Sequence, residues 1–223
     1  MAQLDPDGIW RNSGLALHAY AGILDLIANG RLQAGESILI ERLTEHLGTT
    51  QTAVCEAVMR LVQEGLATEA ADGRLRMISL NESYIRNVYM VRGALEGLCT
   101  ELATPYIRVE DLILLRALIH ETADALARGD ARPYLRSDTQ LHALIVGATT
   151  NTILLTALQA LHPHVNLIHR SMQRIAGAHL LTSHQEHLEI VAAIADRDAV
   201  RARYAMEQHI RNTGERITRL LSL

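Results

Sequence analysis

The sequence predicts a mainly α-helical chain, with a winged helix-turn-helix at the N-terminus and an all-α helical bundle after it. Three observations carry this reading. Two short helical stretches flank Gly48-Thr49-Thr50, as in a helix-turn-helix. Asp72-Gly73 stands between two short segments inside 66–79, a hairpin turn signal. From Asn81 onward apolar residues recur at helical spacing and no strand pattern interrupts them.

Residues 1–12 are polar, contain Pro6 and Gly8, and read as a flexible arm. Residues 13–80 are expected to form the winged helix-turn-helix DNA-binding domain. Its first helix should run over 15–28, with Leu17, Ala21, Leu24 and Ala28 on one face and Gly30 near its end. Ile40–His46 and Gln51–Gln63 are the paired helices, and Gly65 stops the second. Residues 81–223 form the all-helical domain, with helices expected over 82–103, 109–128, 133–148, 152–176, 184–195 and 198–220. Pro163 lacks the helical donor and should kink or interrupt the fourth of these. Ser183, followed three residues later by Glu186, predicts a capping box that opens the fifth.

Composition narrows the class. Hydrophobic residues make up 48% of the 223, but Phe is absent and Trp occurs once, so aliphatic side chains must fill the core. All 21 basic residues are Arg. Cys55 and Cys99 form no motif, and neither a signal peptide nor a membrane-length apolar run is evident, which predicts a cytoplasmic protein that does not enter membranes. Residues 1–80 hold six Arg against ten Asp or Glu, whereas the rest of the chain balances. Nucleic-acid-binding domains normally have the opposite bias.

Four residues stand where a helix should be apolar. In 133–148 the inward stripe reads Leu135, Asp138, His142, Ile145. His187 shares a face with Ile190, Val191 and Ile194, and His209 follows Ala202, Ala205 and Met206. Three imidazoles and a carboxylate buried alone would be costly, and a shared divalent metal removes that cost. The spacing of Asp138 and His142 also suits an exposed helix ion pair. The donor set would accept zinc, nickel or manganese. Arg92 lies in a stripe with Ile85, Val88, Leu95 and Cys99, where an unpaired guanidinium would be costly and Glu96, four residues on, could pair with it.

The N-terminal third resembles the winged-helix domain of GntR-family transcription regulators, through Ile27, Gly30, Gly35-Glu36, Leu43, Leu47-Gly48, Val54, Glu56-Ala57, Arg60-Leu61 and Glu64-Gly65-Leu66. The remainder resembles the FCD effector domain of the FadR subfamily, through Arg92, Leu95-Glu96, Asp138, His142, Asn151, His187, the run 192–199 and His209. The resemblance implies a divalent metal on Asp138, His142, His187 and His209. It also implies that Arg92 grips a small carboxylate effector, and that the chain works as a homodimer on operator DNA.

The arginines that such regulators use on DNA are replaced here by Ser37, Gln51 and Cys55. The remaining candidates for DNA contact are Arg42, Thr50, Gln51, Thr52 and Arg74, with Arg60 and Arg76 as further sources of charge. Gln51 suits adenine, and the start of the recognition helix suits phosphate. The expected function is a ligand-responsive DNA-binding transcription regulator and not an enzyme. The alternatives are a sensor or partner protein with degenerate DNA binding, and a metal-dependent enzyme, for which His169, His179 and His184 are the general-base nominees.

Overall fold

The computed structural model describes residues 14–70, 73–171 and 180–221. The expected arm at 1–12, Asp72 of the hairpin turn, His179 and the predicted helical residues 172–176 lie outside them.

Two compact units divide the chain: residues up to Leu80 together with Pro163–Ser171, and Asn81–His162 together with the chain beyond Ser171. In the first unit, α1 (Gly14–Ala28) packs on α3 (Gln51–Gln63), and α2 (Ile40–Leu47) closes against α3. Gly48 takes a left-handed conformation (φ 60°) at the end of α2, where its NH bonds back to that helix. Thr50 caps α3, its hydroxyl accepting from the Ala53 NH at 3.3 Å. The core joins Ile23, Ile27, Val54, Val58, Leu61, Leu66 and Met77, with Leu167 from the 163–171 segment. The face of α1 that is buried is Ala16, Ala19, Ile23 and Ile27; the expected face carries Leu17, which is 44% exposed. Both stripes are apolar, so periodicity alone does not choose between them. The wing is β1 (Ala67–Glu69) antiparallel to β2 (Leu75–Met77), in register Ala67↔Met77 and Glu69↔Leu75, with Ser37 bridged to Arg76.

The second unit is helical: α4 (Glu82–Ala103), α5 (Val109–Ala127), α6 (Arg132–Ala148), the first half of α7 (Thr152–Ser171), α8 (Leu180–Ala195) and α9 (Ala199–Leu221). α4 and α9 form its most extensive pairing, and glycines permit the close approach. A Cβ at Gly214 would fall 2.6 Å from the Cβ of buried Tyr89. α8 packs on α9 and on α5, and α6 lies against α4, α5 and α8. Asn81 caps α4 through a 2.8 Å bond from the Tyr84 NH. Asn151 accepts from the Leu154 NH at 3.0 Å as α7 begins.

Two expectations are corrected. α7 runs through Pro163 without interruption, although the boundary between the units falls there. Ser183 and Glu186 do not open a helix: α8 is already helical at Leu180, and both side chains are turned inward onto α9. Buried Arg216 and His209 satisfy them better than a free helix end would.

Candidate functional site

Tyr134, Ser137, Leu141 and Ile145 form the buried stripe of α6, which leaves Asp138 and His142 on its edge, one turn apart. Leu135 is 56% exposed and does not belong to that stripe, contrary to the sequence reading. Its place is taken by Tyr134, whose ring stacks on His187 at 5.4 Å between centroids and 6° between planes. α8 supplies His187 and α9 supplies His209, both buried beside Ile190, Ile194, Met206 and Ile210.

One ligand atom from each of Asp138, His142, His187 and His209 lies within 4.8 Å of the others. His187 Nε2 is 3.3 Å from Asp138 Oδ1 and 3.3 Å from His209 Nε2, and His142 Nε2 is 3.8 Å from Asp138 Oδ1. Two ligands on one tetrahedral ion, bonded at about 2.0–2.1 Å, stand about 3.3 Å apart. Among the described residues, both ring nitrogens of His142 and Nδ1 of His187 are buried without a hydrogen-bond partner, and His142 Nε2 is turned to Asp138. Oxygen and imidazole donors at these separations fit a divalent ion. His187 and His209 are buried and His142 nearly so, while a third of the Asp138 side chain is exposed, so the cluster meets solvent mainly at the carboxylate.

A second layer surrounds the cluster. Glu186 Oε2 accepts from His209 Nδ1 at 2.8 Å and from Arg216 at 2.8 Å, while its Oε1 accepts from Asn212 and again from Arg216. Arg216 also donates to Ser183 and Thr213. On the other side, Glu96 Oε2 lies 2.5 Å from His142 Nδ1, off the line of a straight hydrogen bond, and Glu96 Oε1 accepts from Arg92 Nε at 2.5 Å. Arg92 therefore makes the Glu96 pair, and its guanidinium carbon stands 5.6 Å from the Tyr89 ring centre.

The electrostatics follow from these contacts. Burial alone would raise the Asp138 carboxyl, but the His187 hydrogen bond and the charge of His142 hold it well below the usual carboxylate range. Glu96 is likewise held low against burial by Arg92 and His142. Burial disfavours a charged His142, yet the Glu96 charge outweighs burial and raises its pKa. Burial pushes His209 down to about 4, despite its Glu186 bond. Of the general-base nominees, His169 is exposed on α7, and His184 is buried on α8 with its pKa lowered by desolvation and by His187.

The residues expected to meet DNA lie on the N-terminal unit. Thr50, Gln51 and Thr52 are exposed at the start of α3, with Cys55 and Met59 further along the same face. That exposed face carries no cation. Arg42 is exposed on α2, 3.9 Å from Glu36, and Arg74 is exposed on the wing. Arg60 is held by Glu64 at 2.8 Å and lies over the Tyr20 ring at 3.8 Å.

Residues 87–212, more than half of the chain, match the FCD domain. The chain belongs to the FCD family. This FCD protein is 25% identical over 209 residues to the uncharacterized HTH-type transcriptional regulator YdhC of Bacillus subtilis, covering 92% of each chain. It is similar in fold to E. coli McbR/YncC, with a TM-score of 0.72 at 19% identity over 93% of this chain and 98% of that one. It is also similar to the metal-free FCD domain of TM0439, with a TM-score of 0.54 at 21% identity over 65% of this chain and 98% of the other. In this chain a helix-turn-helix precedes the FCD domain, and curated relatives that it matches, McbR of Escherichia coli among them (22% identical), are named HTH-type transcriptional regulators. Among the described residues, no helix is long and apolar enough to cross a membrane.

The sequence reading missed Glu186, Arg216 and Tyr134 as neighbours of the FCD cluster. A signal for Arg216 existed: His209, Thr213 and Arg216 recur at helical spacing among the apolar residues of α9, so a polar stripe faces inward.

Proposed function

We propose that this FCD protein is a transcription regulator that binds operator DNA through its winged helix and responds to a small carboxylate at a divalent metal in the bundle. The observation that carries the reading is the convergence of Asp138, His142, His187 and His209 at ligand separations, in a chain that also bears a helix-turn-helix. These four residues hold the ion, and zinc, nickel or manganese suits the donor set. The ion supplies a positive centre on which a carboxylate can chelate.

Charge supports that choice of effector. Glu96, Asp138 and Glu186 are held ionised beside Arg92 and Arg216, so a divalent ion leaves this neighbourhood with one positive charge. An effector carboxylate neutralises it, approaching from the exposed side of Asp138. Arg92 binds the effector with the guanidinium nitrogens that Glu96 leaves, and Glu96 fixes the fork by its Nε edge. The working unit is a homodimer, because one recognition helix spans one half-site. On DNA, Gln51 reads adenine, Thr50 and Thr52 meet phosphate at the start of α3, and Arg42 and Arg74 supply backbone charge.

The test is fluorescence anisotropy of the metal-loaded protein on labelled DNA from its own upstream region, against an unrelated duplex. Preferential binding, altered by a chelating carboxylate, supports the reading; an affinity unchanged by any hydroxy- or dicarboxylic acid contradicts the coupling. The cation-free face of α3 favours a second reading, a sensor or partner protein that no longer binds DNA by itself. Binding at low salt no better than to the unrelated duplex selects it.

A further inference from the structure

We infer that Glu96 and Glu186 are positioning residues for the metal centre, each held by an arginine and each turning one histidine so that Nε2 faces inward. The inference rests on the metal reading above, and it assigns Arg216 and Arg92 a role in that reading as anchors of the two carboxylates.

Hydrogen-bonding capacity gives the argument its direction. An ionised carboxylate only accepts. Where Glu186 Oε2 meets His209 Nδ1 at 2.8 Å, the ring nitrogen must therefore carry the proton, and Nε2 keeps its lone pair. That lone pair is on the atom 3.3 Å from His187 Nε2, inside the cluster. Glu96 Oε2 lies 2.5 Å from His142 Nδ1 without the line of a straight hydrogen bond, so it acts on that ring by its charge and closeness, with Nε2 toward Asp138. Imidazole ligands backed by a carboxylate are better bases, and their outer partners tune metal affinity.

Neither carboxylate can turn away easily. Glu186 receives both terminal nitrogens of Arg216 and the amide of Asn212, and Arg216 is 7% exposed. Glu96 and Arg92 are each 12% exposed in their side chains. The two relays come from different helices: Arg92 and Glu96 from α4 hold His142 on α6, and Glu186 on α8 with Arg216 on α9 holds His209. Among the described residues His187 has no such partner on Nδ1; it is oriented by its stack on Tyr134. The centre thus has two histidines fixed by charge and one fixed by an aromatic face.

The full-length chain is titrated with zinc against a chromophoric chelator, as wild type, Glu96→Gln and Glu186→Gln. Melting of each metal-free variant in chelator and its circular dichroism establish that it is folded. Each substitution should weaken zinc binding by about 10–100-fold while one ion per chain still binds. Because a buried arginine left without its carboxylate can unfold a variant, long-range 1H–15N correlation spectra of the zinc-loaded wild type provide a second measurement. His142 and His209 should be protonated on Nδ1 and bound through Nε2. Unchanged zinc affinity in both folded variants, or a ring bound through Nδ1, overturns the inference and leaves the metal site standing. A wild type that binds no zinc overturns both.

Discussion

Glu186 Oε2 and His209 Nδ1 are 2.8 Å apart, and this contact, with the bonds from Arg216 and Asn212, draws a glutamate next to a buried histidine inside. The carboxylate sits at the meeting point of α8 and α9, held by Arg216 from below and spent on His209 above. A second carboxylate, Glu96, lies 2.5 Å from His142 Nδ1, so the cluster of four is the inner part of a larger polar assembly in an otherwise aliphatic bundle.

Removing an inner ligand should empty the centre. His187→Ala and His209→Ala are expected to reduce bound metal from one ion per chain to none at micromolar ion, measured by elemental analysis after desalting. Metal at about one hundred times its Kd should stabilise the wild type by about 2.7 kcal/mol and leave these variants unmoved in chemical denaturation.

Acid should release the metal. His142 carries a raised pKa and must lose its proton to bind through Nε2, so affinity rises as pH rises through that value and levels off above it. His209 titrates at about 4 and is already neutral near pH 7, so it adds no slope there. Asp138 stays ionised well into the acid range and adds none either. Competition titrations across a pH series should show affinity climbing as His142 loses its proton; a flat profile contradicts this assignment.

The pairing of α4 with α9 should tolerate no added bulk at Gly214. Gly214→Ala places a methyl group 2.6 Å from the Tyr89 Cβ, between two helix backbones that cannot easily part. A loss of about 1–3 kcal/mol in urea unfolding is expected. A change within experimental error would mean that the helices can separate there.

Thr50 and Gln51 should respond differently although they are neighbours. Thr50→Ala removes the cap on α3 and should cost about 1 kcal/mol of stability. Gln51→Ala is exposed and should leave stability unchanged while relaxing preference for adenine in the operator. Equal operator preference before and after Gln51→Ala removes the proposed contact.

Returning charge to the recognition helix should strengthen DNA binding. Cys55 is exposed on α3, and Cys55→Arg should steepen the salt dependence of binding by about one unit on a log–log plot if the new guanidinium reaches a phosphate. Anisotropy titrations at several salt concentrations measure this slope; an unchanged slope places that face away from the DNA backbone.

Much of the fold can be read from short-range signals. α3 occupies Gln51–Gln63 as Thr50 and Gly65 predict, because a cap and a stop are local chemistry. The four clustered residues are visible as polar interruptions of apolar stripes, since periodicity reports which face a side chain shares. Periodicity does not report what lies opposite. Leu135 and Leu17 fit an apolar stripe yet face solvent, because a second apolar register was available on each helix. Ser183 and Glu186 have the spacing of a cap, but Arg216, thirty residues beyond Glu186, decides where they point. A contact of that range leaves no local mark.

The central claim is that Asp138, His142, His187 and His209 hold one divalent ion. X-ray absorption at the metal edge of the stoichiometric zinc complex tests it most directly. The account predicts about three imidazole nitrogens and at least one oxygen at about 2.0–2.2 Å. A spectrum with no imidazole scattering, or one with sulfur in the inner shell, would contradict it.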